Sequence, residues 1–135
     1  MSDRDHIERT LRQIYQDRAA GKIDAIVGAF ADDAKFRLAG SADASPVCAE
    51  SRGGQQFREH LAGLVKAFQM YDPHIQRMLI DGSRAAVHWR VHVTSTATGK
   101  SATTELFDLV EFENGKISSF TEFCDTALAA SLIAK

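Results

Sequence analysis

The chain has 135 residues, of which 44% are apolar and 25% are charged, as expected of one globular domain spanning residues 1–135. Its net charge of -2 offers no attraction for nucleic acid or for an anionic membrane. The N-terminal segment is too polar for a signal peptide, and no apolar run approaches the roughly 20 residues that cross a bilayer. We therefore expect a cytoplasmic protein whose two cysteines are free thiols.

The first half of the chain shows the three-to-four-residue apolar spacing of amphipathic helices. In the first predicted helix, residues 3–20, this spacing links Ile7, Leu11, Ile14 and Tyr15. A short second helix is predicted over residues 23–30, and a third over residues 54–70. The apolar stripes of the longer helices are suited to cover one face of a sheet.

The second half of the chain alternates apolar and polar residues, which predicts strands. Strands are predicted over residues 34–38, 74–80, 85–96, 101–113 and 116–124. The alanine-rich tail, residues 125–135, is predicted to end in a short helix. Asn114-Gly115 is a strong signal for a tight hairpin, because both residue types tolerate positive φ. Helices followed by an antiparallel meander define an α+β fold.

Residues 40–54 show no periodicity and are rich in Gly, Ser and Ala. A loop of this length is uncommon in a small domain and is often functional. Two interpretations of this segment are open, a lid over a binding site and a plain surface loop.

The strand over residues 85–96 alternates strictly between two sets of side chains. The apolar set is Val87, Trp89, Val91 and Val93. The polar set is His88, Arg90, His92 and Thr94. Because successive side chains of a strand point to opposite faces, alternation alone places the apolar set in the core and the polar set in water.

Two segments resemble a known family. AGKIDAIVGAFADDAKF, residues 20–36, is similar to the helix–helix–strand opening of SnoaL-like proteins and ketosteroid isomerases. FDLVEFENGKISSFTEFCD, residues 107–125, resembles their closing hairpin. The resemblance implies the nuclear transport factor 2-like superfamily and its cone-shaped α+β barrel, in which a curved antiparallel sheet wraps three N-terminal helices around a central pocket. Many members of this family are dimers, often through the outer face of the sheet.

The resemblance also suggests candidate catalytic residues. Arg90-Val91-His92 is similar to the Arg-x-Asp strand of limonene epoxide hydrolase, a relative in which the polar pair faces the pocket. Glu122 matches the second acid of that enzyme, and Asp108 matches the ketosteroid isomerase acid that donates a hydrogen bond to the substrate oxyanion. This orientation of the strand would leave an apolar outer face, and we expect a homodimer through Val87, Trp89, Val91 and Val93.

An apolar wall would complete the predicted pocket. Its expected members are Tyr15, Phe30, Leu38, Val65, Phe68, Leu106, Val110 and Phe120. Leu38 stands where ketosteroid isomerase has its catalytic base, and leucine cannot take a proton. Tyr15 is one residue from the position of the oxyanion tyrosine, about 100° around the helix. Steroid isomerisation is therefore not expected.

The function favoured by these residues is cofactor-free general acid–base catalysis on a small, largely apolar carbonyl, enol, epoxide or polyketide-like compound. His92 would act as base or acid, Asp108 would orient it or donate to an oxyanion, and Arg90 and Glu122 would complete the polar end. We expect no metal site and no organic cofactor, because the chain has no CxxC, HExxH, P-loop or GxGxxG pattern. The alternative is a non-catalytic module of the same fold that binds a small ligand or dimerises.

Overall fold

The structure is a computed structural model that describes residues 3–135, so the first two residues of the polar N-terminal segment lie outside it. The helices of the described chain are α1 (Asp3–Ala20), α2 (Ile23–Gly28), α3 (Gly54–Ala67) and α4 (Thr126–Ile133). The strands are β1 (Phe30–Leu38), β2 (Glu50–Arg52), β3 (Phe68–Asp81), β4 (Arg84–Ser95), β5 (Ser101–Glu113) and β6 (Lys116–Phe123). No helix within residues 3–135 is long and apolar enough to cross a membrane. The cytoplasmic location stays a prediction.

The strands form one sheet in the order β2-β1-β6-β5-β4-β3. The last four strands of the chain, β3 to β6, make an antiparallel meander, and β2 pairs antiparallel with β1. β1 runs parallel to β6, a pairing between distant parts of the chain that the sequence analysis did not predict. The core lies between α1, α2 and α3 and one face of this sheet, which confirms the predicted α+β class.

The hairpin between β5 and β6 sets the register of the central strands. Asn114 and Gly115 have φ of 52° and 79°, the positive values that a type I′ turn requires. Beyond an irregularity between Glu111 and Phe112, the hairpin brings Asp108 directly opposite Glu122. The turn predicted from Asn114-Gly115 is confirmed, and it places two carboxyl groups side by side.

Two phenylalanines lie in strands where helices were predicted. Phe68 begins β3, because its N–H caps the end of α3 on the Leu64 carbonyl while its own carbonyl accepts a hydrogen bond of 2.8 Å from Arg18 Nη2. Phe30 begins β1 and pairs with Ile117 of β6. In both places tertiary contacts override the helical spacing of the sequence.

The inward face of β4 is its apolar face. The side chains between 0% and 4% exposed are Val87, Trp89, Val91 and Val93. Arg90 is exposed on the opposite face, where His92 Nδ1 lies 2.6 Å from Thr103 Oγ1. The prediction that Arg90 and His92 face the pocket is wrong, and so is the prediction that the apolar set forms the outer face of the sheet.

The physical reason for this orientation lies in the strand itself. Burying an indole and three valines stabilises the fold by several kcal/mol, whereas burying an unpaired guanidinium is costly. The plain alternation of β4 therefore decides which side chains face the helices. The three-residue similarity to the epoxide hydrolase strand does not determine which face of β4 is buried.

Strand β4 offers a matched pair of substitutions. Val91→Ala removes two buried methyl groups and should lower the free energy of unfolding by about 2 kcal/mol. Arg90→Ala, one residue away on the exposed face, should change it by less than about 0.5 kcal/mol. Urea unfolding at neutral pH, followed by far-ultraviolet circular dichroism, measures both values. Equal losses in the two variants would contradict the orientation of β4.

Candidate functional site

A cavity of about 110 Å³ lies between the helices and the inner face of the sheet. Its wall is mostly apolar, and α4 forms one side of it through Leu128, Ala129 and Leu132. Val47, from the long loop between β1 and β2, also lines the cavity. This loop therefore contributes a side chain to the cavity wall, and the lid interpretation stays a prediction.

Most of the predicted wall residues line this cavity. They are Tyr15, Phe30, Leu38, Phe68, Leu106 and Phe120. Val65 and Val110 do not. Val65 packs near Gly21 at the end of α1, and Val110 is fully buried in the core, where it pairs with Ala85 and Phe120. The ligand-binding role of the lining residues stays a prediction.

Asp108 is fully buried behind the polar end of the cavity. Its Oδ2 accepts a hydrogen bond of 2.6 Å from the Tyr15 hydroxyl and one of 2.8 Å from Trp89 Nε1. The rings of Tyr15 and Trp89 pack together with their centroids 4.5 Å apart, and both residues line the cavity. Asp108 therefore reaches a ligand only through its neighbours, and it does not donate directly to a bound oxyanion as the resemblance implied.

The carboxyl groups of Asp108 and Glu122 also interact with each other. Their side chains share a hydrogen bond across the β5–β6 pair. No backbone N–H, side-chain N–H or hydroxyl group of the described chain donates to Asp108 Oδ1. A contact between two carboxyl groups requires a proton between them. Burial, together with the charge of Glu122, raises the pKa of Asp108 well above its ordinary value, so Asp108 holds that proton.

Two carboxyl residues border the cavity: the exposed Asp125, which caps α4 by accepting from the Leu128 N–H, and Glu122, which is the one enclosed by protein. Burial raises its pKa, while the hydrogen bond from Asp108 and the charge of Arg18 act in the opposite direction. Protein surrounds the side chain, yet part of its surface stays accessible because it borders the cavity. Glu122 is therefore the titratable carboxyl that can exchange a proton with a ligand.

Arg18 is a cationic member of the cavity wall. Burial lowers its pKa to about 10, so the guanidinium is still charged at neutral pH. Its Nη2 donates to the carbonyls of Leu64 and Phe68, at 3.2 Å and 2.8 Å, and so ties α1 to the end of α3. The sequence analysis missed this residue, although Arg18 follows Ile14 by four positions and Leu11 by seven and therefore continues the buried stripe of α1.

Two further titratable side chains at the cavity, Tyr15 and Cys124, stay protonated. Burial, reinforced by Asp108, raises the pKa of the Tyr15 hydroxyl. Burial also raises the pKa of the Cys124 thiol, which lines the cavity, to about 11. Within residues 3–135, no three His, Cys, Asp or Glu side chains converge as ligands for a metal ion.

The structure thus brings together two of the four predicted catalytic residues. Asp108 and Glu122 meet at the cavity, while Arg90 and His92 lie on the far side of the sheet. Tyr15 was expected on a different face of α1 from the catalytic tyrosine of the family, yet both Ile14 and Tyr15 border the cavity. The polar end therefore consists of Tyr15, Arg18, Trp89, Asp108 and Glu122.

A comparison with known families identifies the class of this domain. The sequence profile of the SnoaL-like domain matches residues 11–120. The chain therefore belongs to the SnoaL-like family, as its two motifs indicated. No sequence among the curated proteins matches the chain.

Solved structures share the fold at low sequence identity. A nuclear transport factor 2-like protein of unknown function from Burkholderia pseudomallei K96243 is 20% identical over 100% of both chains, with a TM-score of 0.83. An LEH-like epoxide hydrolase of M. tuberculosis is 14% identical over 91% of this chain and 87% of its own, with a TM-score of 0.70. A candidate SnoaL-like polyketide cyclase from Jannaschia sp. CCS1 is 14% identical over 96% and 92%, with a TM-score of 0.78. These likenesses confirm the expected cone fold.

Asp108→Asn should preserve the buried hydrogen-bond network and remove the titratable carboxyl group from it. The asparagine oxygen can accept from Tyr15 and Trp89 while its amide donates to Glu122. In the wild type, the folded protein keeps the Asp108 proton above pH 3.8, where the unfolded chain loses it, so stability falls as pH rises toward the raised pKa. The limiting slope is about 1.4 kcal/mol per pH unit. The free energy of unfolding, measured with urea from acid to neutral pH, should decline less steeply in the variant than in the wild type.

Asp108→Ala is the contrasting substitution. It leaves the Trp89 N–H and the Tyr15 hydroxyl without their acceptor and should cost about 2 kcal/mol or more at every pH. A wild-type pH profile that is retained in Asp108→Asn would show that Asp108 is not the buried proton carrier.

Proposed function

We propose that this protein is a cofactor-free acid–base enzyme acting on a small, largely apolar carbonyl or polyketide-like compound, in a reaction of the isomerase or cyclase type. The observation that carries the proposal is the carboxyl pair at one end of an apolar cavity, with a buried acid behind and an ionisable Glu122 in front. Such pairs push two pKa values apart and so separate the roles of acid and base.

In this mechanism Glu122 is the general base. Its carboxylate takes a proton from the carbon next to the ligand carbonyl and returns it at a second position. A base with a raised pKa is a stronger acceptor than an ordinary carboxylate at neutral pH. The apolar wall excludes water, which strengthens the interactions at the polar end.

Asp108 is a positioning residue in this scheme. Its proton holds the Glu122 carboxylate in place, and its Oδ2 fixes the Tyr15 hydroxyl and the Trp89 ring against the cavity. Neither Asp108 nor its proton has to leave the network during the reaction. Its contribution is the geometry and the basicity of Glu122.

The neighbouring folds support this class of chemistry without identifying the reaction. The similar structures include an LEH-like epoxide hydrolase and a candidate polyketide cyclase. The expected His92–Arg90–Glu122 arrangement does not form at the cavity, so carbonyl chemistry is favoured over epoxide hydrolysis. Leu38 lines the cavity with an apolar side chain, in keeping with the expectation against steroid isomerisation.

A non-catalytic binding module is the second candidate. One observation favours it: the hydrogen-bonding groups of Tyr15, Trp89 and Asp108 Oδ2 are all paired within the protein. Such a network can stabilise the fold and shape a pocket without turning over a ligand. In that case Glu122 would bind the ligand without transferring a proton.

The expected homodimer stays a prediction, but its interface cannot be the apolar set of β4, because those side chains are buried. The large apolar side chains exposed on β3, β5 and β6 are Leu79, Phe107, Leu109, Phe123 and Tyr71. Leu79 and Leu109 flank Ala86 on neighbouring strands, and Phe107 lies opposite Phe123. We propose this patch, in place of the apolar set of β4, as the face that a second copy would cover.

The catalytic proposal is tested by hydrogen exchange at carbon. A panel of small cyclic ketones and enones in deuterated water, followed by proton NMR, reports base-catalysed exchange next to the carbonyl. The wild-type protein should accelerate exchange of at least one member, and Glu122→Gln should reduce that rate by about a hundredfold or more, in the range attributed to a positioned general base.

His92→Ala is the matched control, because its ring lies on the opposite face of the sheet. Its exchange rate should equal that of the wild type. An unchanged rate in Glu122→Gln would remove Glu122 as the base. Binding of a ketone with no exchange of any panel member would favour the non-catalytic module.

A further inference from the structure

The two cysteines of the chain are far apart in sequence but lie close together in the fold. Cys48 belongs to the long loop between β1 and β2, residues 39–49, and Cys124 directly follows β6. Both are free thiols, and the Cys48 side chain is buried. Cys124 is half-buried and lines the cavity. The mechanism proposed above uses neither of them.

The parallel pairing of β1 with β6 brings the two cysteine segments together. Leu38 pairs with Glu122, and the Ala39 N–H donates to the Glu122 carbonyl at 2.8 Å, so the two chains still run side by side where the strands end. Gly40 and Cys124 each lie two positions beyond this pair, and side chains two positions apart along a strand share a face. Gly40 therefore lies beside Cys124, on the side of the sheet that faces the cavity.

The missing side chain of Gly40 leaves a space that the Cys48 sulfur fills. A Cβ atom on Gly40 would lie 2.7 Å from Cys48 Sγ and 3.5 Å from Thr126 Cγ2. Cys48 Sγ also donates a hydrogen bond of 3.4 Å to the Ala39 carbonyl. The sulfur is therefore held over the end of β1, next to the chain segment in which Cys124 precedes Thr126 by two residues.

The pKa of Cys124 reflects the same proximity. Burial raises this pKa to about 11, and Glu122 and then Cys48 add to the rise, followed by Asp125 and Asp108. Neighbouring strands lie about 4.8 Å apart, which is within the range of Cα separations that a disulfide bridges. A small movement of the loop is therefore enough to join the two sulfurs.

We propose that Cys48 and Cys124 form a reversible modification site, at which a small disulfide oxidises the two thiols to an intramolecular disulfide. The Cys124 thiolate attacks one sulfur of the external disulfide, and the other sulfur leaves as a thiolate. The Cys48 thiolate then attacks the Cys124 sulfur and displaces the second external thiolate. The two protons lost by the cysteines are taken up by the two departing thiolates, so the external disulfide is reduced to two thiols.

This bridge would fasten the β1–β2 loop to the end of β6. Val47 precedes Cys48 and lines the cavity, so the bridge also fixes part of the cavity wall. At neutral pH the Cys124 thiol is protonated, so the pair stays reduced unless the oxidant is abundant. A pair that is reduced at rest and closes under oxidising conditions has the behaviour of a redox sensor.

The experiment treats the folded protein with bis(2-hydroxyethyl) disulfide at mildly alkaline pH and follows it by intact mass spectrometry. The wild type should lose the mass of two hydrogen atoms and both of the thiols that iodoacetamide labels after unfolding. Excess dithiothreitol should restore the two thiols. A monomer on a non-reducing gel shows that the bond is within one chain.

Cys48→Ser separates the two chemical steps. The serine hydroxyl can still donate to the Ala39 carbonyl, so this variant should keep the fold. It should accumulate a mixed disulfide on Cys124, because no second thiol is present to displace the adduct. In Cys124→Ser, the matched control, the buried Cys48 should remain unmodified under the same treatment.

Hydrogen–deuterium exchange tests the effect on the loop. Amides of residues 39–49 should exchange at least about fivefold more slowly in the oxidised wild type than in the reduced protein, because the bridge suppresses local opening. Treated Cys48→Ser should show no such slowing.

Three results would overturn the proposal. A mixed disulfide that persists in the wild type as it does in Cys48→Ser would show that the two sulfurs do not reach each other. Wild-type protein that gains neither the adduct nor the bridge would show that Cys124 is closed to small disulfides. A bridge that leaves the exchange of the loop unchanged would remove its effect on the cavity wall. None of these outcomes depends on the catalytic role proposed for Glu122.

Discussion

A carboxyl group that is fully buried in an apolar interior has to be neutral or paired, and this constraint at Asp108 organises the rest of the site. The Tyr15 and Trp89 hydrogens saturate one of its oxygens, and its own proton goes to Glu122. Glu122 is thereby the more readily ionised of the two carboxyl groups, helped by the positive charge of Arg18. One buried acid thus influences the chemistry of four neighbours.

Much of this arrangement was predictable from short-range patterns. Burial alternates along β5, so Asp108 shares the inward face with Leu106 and Val110, a pattern that the sequence itself carries. The predicted Asn114-Gly115 turn sets the register that brings Glu122 beside Asp108. The helical stripe of α1 placed Tyr15 toward the core and, read to its end, would have included Arg18. These signals act within one element or one hairpin, where the sequence spacing determines the geometry.

The failures came from long-range information that the spacing does not contain. Arg90 and His92 were placed by likeness to a strand of another enzyme, although Trp89 and the valines that alternate with them require burial. Phe30 and Phe68 continue the apolar spacing of helices, and contacts with Ile117 and Arg18 decide that they begin strands. The parallel pairing of β1 with β6 follows from the path of the whole chain. Helical or strand periodicity does not encode such contacts.

The place of Trp89 has a practical consequence for anyone who handles this protein. It is the only tryptophan of the chain, it borders the cavity, and its ring N–H is bonded to the buried acid. The emission of an indole depends on the polarity of its surroundings and on its hydrogen bonds. The fluorescence of Trp89 therefore reports on both the cavity and the buried Asp108.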